Sequence, residues 1–546
     1  MPCWAPSWGH VAVVAAALLT ARLAGGARWC ALAAAALLLL LLLLLVARVL
    51  LWVARRAARA AHQHALTRDI PGPRLEHFLR LWRARRSPAR VSDLFHDVAR
   101  EHRDGGIFKF WSGPVLFVIL MRADDIECLL TDRRAATKSL VYDLIGTLMG
   151  EGLLHLSGER WRRRRRIVQP YFSPEVLRGF PEVFHRRAEV LVRLLAPSAR
   201  SGQAVNVLPF AGQAVTDMVC HTVMASDVDT RAMEEEGIAN AMSSGLAIIL
   251  YRVFNPWFLH DGLFKLSRLH AHFKRSMELF DAFTLRLLSI KRGERQAQPR
   301  GPADGGAQRK ATFLDVMLDT EAALTDGEVL DEVKGLITAA TGGSTDALCF
   351  VLLCISLRQD VQDRIVQEIT SVFGEDVDRA GTMDDMRHLE YLERVIKETL
   401  RMFPSIPQFG RSPSQDIELP SGHKVPAGAQ VFVYSPAVHM DPAHFPEPEQ
   451  FEPDRFLASA GRHPFAYLPF GAGAHTCIGQ RYALLQIKST VSVLLRHYRL
   501  LPAGTPRSPA ALHDIRTNVL VTQRARGGYW MRLEPRRPPP ADPATG

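Results

Sequence analysis

Residues Phe470-Gly-Ala-Gly-Ala-His-Thr-Cys-Ile-Gly479 set a single thiol, Cys477, between Gly473 and Gly479. His475 lies two residues before it and Phe470 seven before. A thiolate ligand to iron needs such wrapping. Glycines let backbone N–H groups approach the sulfur, and those donors tune its electron donation. The Phe can shield the sulfur from water, and the basic side chain can meet the anionic edge of a cofactor. The plainer alternative is a buried structural cysteine, the usual fate of a lone intracellular thiol. At this chain's frequencies of Phe, Gly, Cys and His/Lys/Arg, the five-point pattern arises by chance in on the order of 10⁻⁴ chains of this length. The ligand reading is the stronger.

At 546 residues the chain has room for several domains or for one large α-rich domain. Its seven cysteines, at 3, 30, 128, 220, 349, 354 and 477, are odd in number and scattered, which opposes a disulfide framework and suits a reducing compartment. No Cys/His cluster has zinc spacing. The net charge of +11 fits nucleic acid, an anionic membrane or an acidic protein partner. No nucleic-acid module is present, whereas a membrane segment is. Ala31–Val46 is wholly apolar, and the run continues past Arg48 to Val53, about 23 residues and enough to span a bilayer. Arg55, Arg56 and Arg59 follow, so the positive-inside rule puts everything downstream in the cytosol. An earlier apolar stretch, Val11–Thr20, reads as a second span, a signal-like segment or part of a hairpin. A single span over 31–53, within a membrane region 1–56, is the expectation.

Residues 57–74 read as a linker ending in the stiff hinge Ile70-Pro-Gly-Pro-Arg74, because proline fixes φ and disfavours helix before it. The catalytic body is expected over 75–534. Ile107–Trp111 and Val115–Leu120 look like a small sheet, and Ser157 to about Lys291 is mostly helical in pattern. Gly293–Lys310 is polar and rich in Gly and Pro, hence an expected exposed loop. Asp326–Leu357 is long, apolar and weakly charged, which predicts a buried central helix. Further helices are expected to Phe373 and to Arg401. The tail from Pro535 to Gly546 is disordered by composition. No internal repeat is evident.

A second motif, Lys397-Glu398-Thr-Leu-Arg401, puts Glu398 and Arg401 three apart on one helix face. Taken alone, that is most simply a surface ion pair worth a few tenths of a kcal/mol. Phe451-Glu-Pro-Asp-Arg-Phe456 adds Arg455 in a loop just ahead of the cysteine window. A Glu with two Arg partners can form a buried network that fixes the loop presenting the thiolate.

In this order and spacing, the Cys477 window, Glu398-x-x-Arg401 and Pro453-Asp-Arg455-Phe456 resemble the cytochrome P-450 superfamily of haem-thiolate monooxygenases. The resemblance covers about residues 70 to 530. It implies a mostly α fold with small β-sheets, the family's triangular prism, behind an N-terminal transmembrane anchor. It also implies Cys477 as proximal iron ligand and Glu398, Arg401 and Arg455 as scaffold triad. Trp161 and Arg165 match the helix whose Trp and Arg bind one haem propionate. Arg411 matches the strand Arg for the other, and His475 holds the basic position of the Cys loop, with Phe470, Gly473 and Gly479 as its other fixed points. A buried anion needs such charge-assisted donors. Arg162, Arg163, Arg164 and Arg166 read as a solvated face, a basic surface for docking an acidic reductase. Glu-Arg-Trp-Arg-Arg-Arg-Arg-Arg-Ile, Lys-Glu-Thr-Leu-Arg-Met-Phe-Pro-Ser-Ile-Pro and Arg462-His-Pro-Phe-Ala-Tyr-Leu-Pro-Phe470 look most like family 4, the fatty-acid ω-hydroxylase group and its arthropod relatives.

The family's central helix carries A/E-G-x-D/E-T-T/S, whose acid and alcohol organise the water that delivers protons during oxygen activation. A gapless register aligns it with Ala339-Ala340-Thr341-Gly342-Gly343-Ser344, so Gly342 replaces the acid and Gly343 the alcohol. A one-residue shift puts Ser344 at the alcohol position. Thr341, Ser344 and Thr345 remain as nearby hydroxyls, and Asp346 is the nearby acid, able to serve through water if the helix bulges at the glycines. Alternatively, the glycines only ease close packing over the haem. The ω-hydroxylase group often carries a Glu at the position of Ala339 that esterifies the haem; Ala339 cannot, so non-covalent haem b is expected.

The resemblance thus implies a membrane-anchored monooxygenase of the endoplasmic reticulum. It would use O2 and NADPH electrons through a cytochrome reductase on a lipophilic substrate, with no nucleic-acid partner. A haem-thiolate isomerase or dehydratase acting on a hydroperoxide would need neither reductase nor proton relay, and the glycine pair favours it. A haem- or lipid-binding protein with lapsed activity is the alternative outside enzymes.

Overall fold

The computed structural model describes residues 27–74, 76–77, 80, 83, 87–224, 238–297, 312–318, 324–457, 461–504, 511–519 and 521–536. Val11–Thr20, residues 298–310 of the expected loop and the tail beyond Arg536 lie outside these. The chain divides into two units, 1–66 and 67–546.

In the first unit, helix α1 (Ala27–Leu66) is continuous. Leu32–Leu66 is long and apolar enough to cross a membrane, with mean hydropathy 2.9 and no burial in its most apolar window. The helix overruns the start expected for the linker, residues 57–66, because Ala57, Ala58, Ala60 and Ala61 are strong helix formers and no Gly or Pro interrupts them.

The second unit opens on the proline segment, which docks on the sheet: the Lys109 N–H donates to the Pro71 carbonyl at 2.8 Å, and Ile70 is buried. Strands β1 (Ile107–Ser112) and β2 (Val115–Leu120) form the expected hairpin. Its two-residue turn starts on Gly113 at φ +58, a left-handed conformation that glycine adopts without strain. The body follows: α2 (Gly158–Val168), α3 (Phe180–Ser201), α4 (Leu208–Met224), α5 (Ile238–Phe254), α6 (Arg268–Ala297), α7 (Asp326–Leu357) and α8 (Glu390–Met402), with shorter elements between. Strands β3 (Gln408–Arg411) and β4 (Gln430–Tyr434) complete the sheet in the order β1-β2-β4-β3. Its β2–β4 pairing is parallel and the others antiparallel. After α9 (Gln480–His497), strand β5 (Tyr498–Pro502) pairs with β8 (Trp530–Pro535), and between them β6 (Thr517–Val519) and β7 (Gln523–Ala525) make a hairpin.

Helix α7 is the axis. Thr325 and Glu328 close a capping box at its start, and 72% of its most apolar window is buried. Its span is the one expected, and its neighbours α4, α8 and α9 share its core. Three expectations change. Gly293–Ala297 belongs to α6, since the helix formers Glu294, Arg295 and Gln296 outweigh one glycine. Pro535 is not in the tail but ends β8 opposite Tyr498, where a strand tolerates a missing N–H. Arg164 is not solvated, as its partners below explain.

Candidate functional site

The Cys477 loop is a tight return held by its own backbone. The Cys477 N–H donates to Phe470 O at 2.9 Å. Gly473 has φ +70, and a Cβ there would lie 2.6 Å from Leu130 O, so no other residue fits. The Gly479 N–H bonds the sulfur and α9 begins at the next residue, so the thiol sits at a helix N-terminus. Surrounding protein pushes the thiol pKa up, while the Gly479 N–H and nearby Arg165 pull it down. Cys477 is nevertheless exposed. A group both exposed and strongly desolvated lies in a recess of the protein.

Behind the loop, Glu398 and Arg401 are fully buried and paired twice, at 2.8 and 2.9 Å. Arg455 Nε donates to Glu398 Oε1 at 3.0 Å, and the Glu452 N–H to the same oxygen at 2.8 Å. Arg401 also donates to the carbonyls of His439 and Gln450, and Arg455 to that of Pro446. This is a buried network, not a surface pair. His439, which the sequence did not single out, joins it to the thiolate loop. Its Nε2 accepts the Leu468 N–H at 2.7 Å, leaving Nδ1 to donate to Arg401 O at 3.1 Å. Burial pulls its pKa down to about 3, so it is neutral, as that arrangement requires.

On another side of the thiol is a cluster of cations. The Trp161 and His475 rings are 4.1 Å apart, and Arg165 donates to Thr476 O at 2.9 Å. Arg411 is buried beside the Tyr142 phenol. Lys138, another residue not anticipated, is buried and donates to Leu153 O at 2.9 Å. Burial, then repulsion from Arg411 and later Arg165, lowers its pKa to about 7 despite Glu332. Burial with Arg411, Lys138 and Arg165 drives His475 down to about 4, so the residue at the basic position is neutral near pH 7. Its Nε2 meets Ala136 O at 3.0 Å, and its buried Nδ1 has no partner. Arg165 and Arg411 are both lowered by desolvation. Arg165, Arg411 and Lys138 thus crowd together around a neutral His475, an arrangement that an anion would relieve.

Arg164 faces the other way. It is 4% exposed and pairs with Glu328 at 2.6 Å and Glu332 at 2.9 Å, tying α2 to α7. Arg162, Arg163 and Arg166 are exposed.

On the central helix, Ala339 is exposed within a mostly buried stretch of α7, and Ala340 to Gly343 are half-buried. The helix runs through both glycines without the bulge considered from the sequence. Thr341 Oγ1 donates to Ile337 O at 2.7 Å, while Ser344 and Thr345 are buried. A Cβ at Gly343 would meet nothing within 4 Å, and one at Gly342 only Thr522 Cγ2 at 3.8 Å. The protein's own packing therefore does not demand either glycine.

A family model described as Cytochrome P450 matches residues 70–524. The chain belongs to the cytochrome P450 family. Curated relatives of family 4 include cytochrome P450 4V2 of Homo sapiens, 30% identical over 81% of this chain and 84% of that protein. Cytochrome P450 4c3 of Drosophila melanogaster is 32% identical over 72% and 76%, and cytochrome P450 4d2 of the same organism 31% identical over 86% and 94%. This P450 is a monooxygenase that uses haem, O2 and reductase-supplied electrons on a lipophilic substrate. The residues present fit the haem: an accessible but desolvated thiol, the basic side chains of Arg165, Arg411 and Lys138 near it, and on α7 a glycine pair with open space beside it.

Proposed function

We propose that this P450 is a membrane-anchored hydroxylase of fatty acids or similar long lipids. It would sit in the endoplasmic reticulum with a single N-terminal span, and take electrons from NADPH through a cytochrome reductase docked near the exposed Arg162, Arg163 and Arg166. The observation that carries this reading is an accessible yet desolvated Cys477 on a loop next to the buried Glu398–Arg401–Arg455 network. Bound haem b would supply the oxygen-activating iron for RH + O2 + 2e⁻ + 2H⁺ → ROH + H2O.

Cys477 Sγ would ligate the iron, with the Gly479 N–H moderating its charge and Phe470 shielding it from water. Trp161 and Arg165 would hold one propionate, and Arg411, with Lys138 and His475 beside it, the other. Ala339 leaves room for the ring and offers no carboxylate for an ester. Treatment with acidified organic solvent should therefore extract all haem from the protein; haem that stays with the polypeptide would contradict the assignment.

The cation cluster gives a pH dependence. An anionic propionate raises the depressed Lys138 pKa, so haem binding takes up a proton. Haem affinity should fall as pH rises above about 7, by up to about tenfold per unit. Lys138→Met should flatten that slope in a spectrophotometric haem titration.

The glycine pair favours a second reading, rearrangement of a hydroperoxide substrate. Purified protein reconstituted with reductase and lipid separates the two. NADPH-dependent hydroxylation of a fatty acid supports the first, and hydroperoxide turnover without NADPH the second. Formation of the thiolate carbon-monoxide spectrum with neither reaction would leave a binding protein.

A further inference from the structure

Asp346 lies one turn beyond the glycine pair on the cavity stripe of α7. At 100° per residue it returns to within about 20° of Ala339, and about 6 Å along the axis from Gly342. Its side chain is fully buried, its Oδ1 accepts from Arg524 Nε at 2.9 Å, and Oδ2 has no partner of good hydrogen-bond geometry. Arg524 comes from β7 and keeps 36% of its side-chain surface, so one end of this pair is open to water. Thr522, two residues earlier, reaches the same place. Its hydroxyl is close enough to act on the Asp346 carboxylate, and its methyl would touch a side chain at Gly342. The C-terminal hairpin thus brings an alcohol beside the glycine pair of α7 and pins the helix's own acid one turn further on.

We propose that Thr522 is the proton-donating hydroxyl of the cavity and that Asp346, held by Arg524, is its positioning residue and proton supply. Hydroxylation consumes two protons per turnover, which come from the hydronium and buffer acid of the solvent. Asp346 Oδ2 takes a proton from hydronium or protonated buffer in the water beside Arg524, leaving water or buffer base, and passes it to Thr522 Oγ, whose own proton leaves toward the cavity. Net transfer is one proton per cycle of the pair, with both side chains restored. Burial raises the Asp346 pKa against the pull of Arg524 and Thr522, which brings its protonated form within easier reach. The other titratable groups around it, Cys349 on α7 and Tyr529 ahead of β8, are both pushed up by burial and stay neutral. The glycines add no side chain to this stretch of α7, and a Cβ at Gly343 would meet nothing within 4 Å.

The proposal rests on the monooxygenase reading, and the test separates the two. The full-length holoenzyme, reconstituted with reductase, is given dodecanoic acid. Product per NADPH and hydrogen peroxide release are measured for the parent, Thr522→Val, Thr522→Ser, Asp346→Asn and the double variant Thr522→Val/Gly343→Thr. Coupling is expected to fall about tenfold in Thr522→Val and Asp346→Asn, with water partly substituting for the general acid. Peroxide should rise, and the carbon-monoxide spectrum should stay intact. Thr522→Ser and the double variant should recover coupling, the latter because Gly343 has space for the hydroxyl.

Infrared titration of the resting enzyme supplies a readout without turnover. A carboxylic-acid band lost in Asp346→Asn should shift in Thr522→Val. Unchanged coupling in Thr522→Val, Ser no better than Val, or an unshifted carboxyl band would each overturn the relay. Loss of dodecanoate affinity with coupling intact would make the pair a substrate anchor instead. A parent that forms no NADPH-dependent product would break the function reading, and the infrared shift would still decide whether the two side chains share a proton.

Discussion

Cys477→Ala should eliminate the long-wavelength Soret band of the reduced carbon-monoxide complex and all NADPH-dependent product. The loop geometry makes the prediction sharp. The return from Phe470 to Cys477 is closed by backbone atoms, and Gly473 is fixed by its approach to Leu130 O, so the loop does not depend on the thiol. The variant should therefore fold, keep its circular dichroism and lose only the ligand. The variant keeps Arg165 and Arg411, the propionate partners proposed above, and so should retain part of its haem without the thiolate spectrum. A variant that kept that spectrum would sink the assignment of Cys477 as ligand.

The second large effect concerns the network behind the loop. In Arg401→Met, Glu398 keeps Arg455 and the Glu452 N–H but loses its doubly bonded partner, and the acceptors at His439 and Gln450 lose a donor. Breaking a buried ion pair by removing one partner costs about 3–5 kcal/mol. Against a net stability of about 5–15 kcal/mol, that is between a fifth and all of it. Recovery of haem-loaded enzyme and the urea midpoint should both drop steeply. Arg162→Ala provides the contrast. Arg162 is paired with Glu159 at the same i,i+3 spacing, at 2.8 Å, but both side chains are more than half exposed, and its loss should change stability by less than about 1 kcal/mol. Equal effects from the two substitutions would mean that burial does not decide the value of these pairs.

Much of this was readable in the chain because it is local. The Cys477 window and Glu398-x-x-Arg401 are set by spacing within one loop or one helix turn, and α7 declared its full length through its apolar content and capping box. What escaped depends on partners far away in sequence. In the arginine run 162–166 nothing local distinguishes Arg164, yet α7 supplies Glu328 and Glu332 to bury it. Lys138 looked like any surface lysine until the fold set Arg411 and His475 beside it. His439 is visible as a link only when the Arg401 carbonyl and the Leu468 amide stand on its two sides. The glycine pair was noticed, but the hydroxyl and guanidinium that approach it arrive on β6–β7, about 180 residues later.

The parallel pairing of β2 with β4 bears on how the enzyme matures. Phe117 meets Gln430 only after almost the entire helical body has been threaded between them. Closing so long an interval exacts its chain entropy before any pairing energy is returned, so this sheet edge completes late in folding. Arg411 lies on β3, whose sheet partner is β4. With Arg411 as the propionate partner proposed above, one cationic arm of the haem site is completed late, and Cys477 itself leaves the ribosome later still. Cofactor capture is then expected near the end of biogenesis, after most of the helical body has been made.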